Sequence, residues 1–175
     1  LREYTQQLGL KMYSSSNKGL ILKNTENEKR SALVKLIEQT VTENEFLLNL
    51  ILKSNIVTRQ DNRKITQNVL YEIQHELGIS LSDQTFTILN YYLNFAIEKI
   101  HTKNYIDMYQ IREPDFCCCA EKILSFLSAV CNIPVIRSEI LFLSSTLKNL
   151  ISPSGIAGPS RNTMEIQIID NCIDR

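Results

Sequence analysis

The stretch from Leu77 to Ile106, LGISLSDQTFTILNYYLNFAIEKIHTKNYI, decides the fold. Phe86, Leu89, Leu93, Ile97 and Ile100 recur at spacings of three and four, the period of one helix face. The pattern predicts a helix over about Asp83 to Thr102, with Ser82 as its N-cap. Just before it, Gly78 stands where a preceding helix would end in a left-handed residue.

Working outward, that preceding helix is expected over Asp61 to Leu77, with Ile65, Val69, Ile73 and Leu77 four apart. Downstream, Asn104 to Arg112 reads as a short helix or turn. Pro114 opens a helix reaching Cys131, with Phe116, Ala120, Ile123, Leu124, Leu127 and Val130 facing inward. Pro134 breaks the chain, and a last helix follows from Arg137 to Leu150 with Ile140, Leu143 and Leu147 on one face. Four amphipathic helices joined by short breaks make a helical bundle over 61–150.

The flanks differ in character. Residues 8–24 read as a β-hairpin: one strand over Gly9 to Tyr13, a turn over Ser14 to Gly19, and a return over Leu20 to Lys23. Thr25 and Glu28 have the T-x-x-E spacing of a capping box, which starts a helix carrying Leu33, Leu36 and Ile37. A second, mostly apolar helix is expected over Glu43 to Ser54. Beyond 150, Ser152 to Ser160 has linker composition, and Met164, Ile168 and Cys172 then resume a four-residue period. The fold class is therefore all-α, preceded by a small hairpin. The chain divides into 1–29 (hairpin), 30–60 (connecting helices), 61–150 (bundle) and 151–175 (linker and the start of a following domain). The chain begins at Leu1 and stops soon after a new periodic segment has begun, so it reads as a piece of a longer protein.

Composition narrows the function. The chain is 43% apolar and 22% charged, with 19 basic and 19 acidic residues, the balance of a globular domain. It lacks the cationic excess of a nucleic-acid binder, although residues 1–24 are locally basic (Arg2, Lys11, Lys18 and Lys23 against Glu3). The most apolar run, Phe46 to Leu52, falls short of the roughly 20 residues of a membrane span and contains Asn49. No membrane partner is expected. Neither is an N-terminal leader, and the expected location is the cytoplasm.

Catalytic chemistry finds no foothold. His75 and His101 are the only histidines, and both read as surface residues. No glycine-rich phosphate loop occurs among five glycines, and no spacing pairs Glu121 with Glu139. Cys117, Cys118 and Cys119 are adjacent and point in different directions on a helix, so they form no tetrahedral clamp. With Cys131 and Cys172 they read as small apolar side chains in a reducing compartment. No enzyme, metal or cofactor is expected.

The stretch quoted above resembles the first half of a PTS regulation domain (PRD), a helical sensor domain. Such domains occur in BglG-type antiterminators and in the related LicR/MtlR/Mga-like activators. The resemblance rests on Leu77-Gly78 and on Tyr91-Tyr92-Leu93-Asn94-Phe95-Ala96. Pro114-Asp115-Phe116 with Ala120, and IPVIRSEILFLSSTL with Glu139, Ile140, Phe142 and Leu143 in register, are similar to the second half. Residues 4–37 are similar to the segment joining a helix-turn-helix region to the first PRD in the activator branch. The hairpin would then be a winged-helix remnant, and a second PRD would follow residue 150.

The resemblance implies a regulatory domain of a bacterial transcription regulator of carbohydrate genes. It implies a homodimer, HPr or EIIB-type proteins as partners of the full-length protein, and DNA contact through an N-terminal domain outside this chain. An RNA-binding antiterminator fragment is the alternative, which the helices expected between 25 and 56 argue against. In the family two histidines accept phosphoryl groups. Here those positions hold Tyr92 and Thr146, and Tyr91 replaces the usual preceding Asp. A Tyr or Thr phosphate is a stable ester that does not exchange with HPr. The expectation is a degenerate PRD acting through dimerisation and interdomain coupling, with phosphorylation at His75 or His101 as the other possibility.

Overall fold

The computed structural model describes residues 2–15, 19–43, 60–107 and 116–151. Six helices and one short antiparallel ladder occur among them: α1 (Arg2–Gln7), β1 (Met12–Ser15), β2 (Gly19–Leu22), α2 (Glu26–Glu43), α3 (Gln60–Leu77), α4 (Asp83–His101), α5 (Cys117–Cys131) and α6 (Arg137–Ile151). The fold is helical. Helix α3 packs on α4 and α5, α5 packs on α6, and α2 lies along α4.

Local chemistry sets the helix ends. Thr25 Oγ1 accepts from the Glu28 N–H at 3.2 Å, while a Glu28 carboxylate oxygen accepts from the Thr25 N–H at 2.9 Å. This reciprocal pair starts α2. Ser82 Oγ accepts from the Thr85 N–H at 3.1 Å and starts α4. Gly78, at φ 63°, ends α3, and the Ile79 N–H reaches back to the Gln74 carbonyl at 3.0 Å. That bond is the closing link of a Schellman motif, in which a left-handed residue without Cβ is least costly.

Packing follows the expected stripes. Leu70, Ile73, Leu77, Leu89, Leu93, Ile97, Ala120, Leu127 and Leu143 are among the residues of one buried cluster. Ile37 of α2 forms a smaller cluster with Ile88 and Tyr91 of α4. Val130 departs from expectation: it is 59% exposed. The buried face of α5 runs Ile123, Leu124, Leu127 and on to half-buried Cys131, and the helix stops at left-handed Asn132, so Val130 lies outside the stripe.

Before α2 the strand bounds differ from those read in the sequence. Gly9, at φ 75°, belongs to no strand; it closes α1, and the Leu10 N–H bonds the Thr5 carbonyl at 2.8 Å. Helix α1 was not legible in the sequence. Met12 pairs with Leu22 and Ser15 with Gly19. Of the turn expected over Ser14 to Gly19, Ser14 and Ser15 belong to β1 and Gly19 to β2. Residues 16–18 lie outside the described residues, as do the helix expected over Glu43 to Ser54 beyond Glu43 itself, Pro114, and everything after Ile151. Of Asn104 to Arg112, residues 104–107 carry no helix and the rest lies outside.

Candidate functional site

Tyr92, on the inner face of α4, is 1% exposed, and its ring stacks on Phe142 of α6 with centroids 5.6 Å apart. Two turns of chain logic bring a charged cluster to it. The capping box fixes the start of α2, and Glu26 and Arg30, four residues apart, share a helix face. Arg30 is fully buried. Its Nε donates to Glu26 Oε1 at 3.3 Å, one terminal nitrogen donates to Glu139 Oε2, and the other donates to the Asn104 carbonyl at 2.8 Å. Glu139 Oε1 accepts from the Ile106 N–H at 3.3 Å. A planar guanidinium with five donors suits this many-sided position better than an ammonium would.

The electrostatics follow from burial. Desolvation pushes the Tyr92 phenol well above its ordinary value; Arg30 pulls it down and Glu139 adds to the rise. Tyr92 therefore stays neutral. Burial likewise raises the Glu139 carboxyl above the usual carboxylate range, with Arg30 and the Ile106 N–H pulling the other way. Burial works against the Arg30 charge, and the oxygens of Tyr92 and Glu139 more than offset it. A buried ion pair is held by such a set of satisfied partners.

Thr146 is 6% exposed, and its hydroxyl donates to the Phe142 carbonyl one turn back at 2.9 Å. Phe142 thus connects the two positions singled out in the sequence, through its ring to Tyr92 and through its carbonyl to Thr146. Thr146 also lines a groove of about 410 Å³ between α2 and α6. The two histidines lie elsewhere. His75 is exposed in the last turn of α3; exposed His101 ends α4 beside a depression shared with Asn62, Glu98 and Thr102.

Sequence reasoning missed two groupings. Arg30 was given no partner, and Glu139 was placed in the family-like closing segment with no carboxylate paired to it by spacing. The i, i+4 spacing of Glu26 and Arg30 was the one available signal. The other grouping is a buried hydroxyl–amide cluster between α3 and α4. There the Thr66 hydroxyl donates to Asn90 Oδ1, and Asn94 Nδ2 donates to Thr66 Oγ1 at 2.8 Å and to the Asn90 carbonyl at 2.7 Å. Cys119 is buried, while Cys117, Cys118 and Cys131 are half-buried and reduced. No group of three metal-binding side chains occurs among the described residues.

No curated protein and no solved structure matches the chain. The family model of the PRD domain matches residues 67–150. 

The matched span, residues 67–150, runs from the second turn of α3 to the end of α6 and contains Tyr92, Glu139, Phe142 and Thr146. Over this segment, just under half of the chain, the protein is similar to the PRD domain family.

Proposed function

We propose that the chain is the regulatory module of a bacterial transcription regulator of carbohydrate genes, and that it acts as a scaffold without phosphohistidines of its own. A PRD is a regulatory domain and not a catalytic one. The observation that carries the scaffold reading is the closure of Tyr92. At the first acceptor position stands a neutral phenol, buried against Phe142, Arg30 and Glu139. At the second, the Thr146 hydroxyl is engaged by its own helix.

In this reading the module pairs with a second copy, couples to DNA through a domain upstream, and leaves contact with HPr or EIIB-type proteins to other parts of the regulator. The short ladder at 12–22 is the trailing edge of the upstream domain. The setting is the cytoplasm; no described helix is long and apolar enough to cross a membrane.

Incubation with phosphoenolpyruvate, Enzyme I and HPr, followed by intact-mass measurement, tests the proposal. An unchanged mass is expected. An acid-labile gain of one phosphate would overturn it and favour the second reading, phosphorylation at exposed His75 or His101.

A further inference from the structure

We propose that the groove between α2 and α6 binds a small, neutral, polyhydroxylated molecule of monosaccharide size. The groove exists because α2 lies along α4 while α6 packs on α5, leaving a cleft of about 410 Å³ between them. That volume is in the range of small-ligand sites.

Its lining is divided by chemistry. Val34, Phe142 and Leu150 supply apolar surface, which suits the C–H face of a ring. Asn27 and Ser31 stand one turn apart on α2; Ser145 and Asn149 stand one turn apart on α6. Amides and hydroxyls both donate and accept hydrogen bonds, as does each hydroxyl of a polyol. Lys35 and Glu38, on the α2 side, carry opposite charges three residues apart. The groove therefore has no net charge with which to select an anion, and a neutral ligand fits it better than a phosphate.

The groove includes Thr146, the second acceptor position, in its lining, but binding a neutral ligand there requires no phosphoryl group. It joins the helix that carries Arg30 to the helix that carries Glu139, so an occupant would bridge the same two elements as the buried ion pair.

The test is amide-resolved NMR of the full 175-residue chain, titrated separately with D-glucose, D-galactose, D-mannose, D-mannitol, D-ribose and inorganic phosphate. Saturable shifts confined to residues 27–38 and 142–150 are expected with at least one sugar or hexitol. Ser31→Leu, which fills the cleft, abolishes them. Asn149→Ala, at an exposed position that the fold does not require, weakens binding about fivefold to tenfold through one lost hydrogen bond. Absence of saturable shifts across the neutral panel would overturn the proposal, as would shifts located elsewhere or unchanged affinity in Asn149→Ala. Phosphate binding in the groove with every sugar silent would overturn the ligand class.

Discussion

Arg30 of α2 and Glu139 of α6, 109 residues apart in the chain, form a fully buried ion pair. Arg30 lies outside the segment matched by the PRD domain and Glu139 lies inside it. The pair therefore fixes α2 to the domain by an interaction whose removal on one side leaves a buried charge.

Arg30→Ala is expected to lower stability by about 3–5 kcal/mol, because Glu139 then keeps its burial and loses its countercharge. Arg30→Met with Glu139→Leu removes both charges and should recover part of that loss. Full recovery is not expected, since the Asn104 carbonyl and the Ile106 N–H lose their partners in the double variant. Urea unfolding of the three proteins checks this. A single variant no less stable than the double would show that the uncompensated charge is not the dominant cost.

The start of α2 gives a pH-dependent expectation. The Thr25 N–H, followed by the Asn24 side chain, holds the half-buried Glu28 carboxyl below its ordinary value of 4.5. A depressed carboxyl stabilises the fold above its unfolded pKa and loses that contribution as pH falls through the folded value. Glu28→Gln should therefore flatten the acid limb of a stability–pH profile. Thr25→Ala should cost about 1 kcal/mol at neutral pH. A profile unchanged in Glu28→Gln would count against the capping box.

Much of the fold was readable because helical period and caps are local. Gly78, Ser82 and the Thr25/Glu28 pair name helix ends without reference to anything distant, and the bounds of α3, α4 and α6 fall within a residue of those expected. The site was readable only as positions. Tyr92 and Thr146 were singled out by resemblance to a family, while their surroundings depend on a packing of α2 that no local pattern encodes. Arg30 looks in sequence like any charged residue of a solvated helix face, and its burial follows from a partner 109 residues away.

The same limit applies to the polar cluster between α3 and α4. Thr66, Asn90 and Asn94 are all buried, and Asn94 Oδ1 has no hydrogen-bond partner. Thr66→Val keeps the shape but strips Asn94 Nδ2 and Asn90 Oδ1 of the hydroxyl between them. The expected cost is about 1–3 kcal/mol, measured by thermal or urea unfolding. A neutral result would mean that the two amides satisfy one another without the hydroxyl.

In the proposed scaffold reading position 92 takes no phosphoryl group, and replacing Tyr92 separates burial from chemical identity as the reason. Tyr92→Phe keeps the ring stacked on Phe142 and removes only the hydroxyl beside Arg30 and Glu139, so a loss of about 1–3 kcal/mol is expected. Tyr92→His restores an imidazole, but in a space closed to solvent and next to a buried guanidinium. It should destabilise more than Tyr92→Phe, because the smaller ring gives up apolar contact and packing as well. It should also remain unphosphorylated after incubation with phosphoenolpyruvate, Enzyme I and HPr, since a donor's phosphohistidine must reach the acceptor nitrogen in line. Intact mass under neutral and acidic conditions decides the matter. A labile phosphate on Tyr92→His and not on the unsubstituted chain would show that α2 opens far enough to admit the donor. The tyrosine itself, rather than the Arg30–Glu139 closure over it, would then be what silences the site.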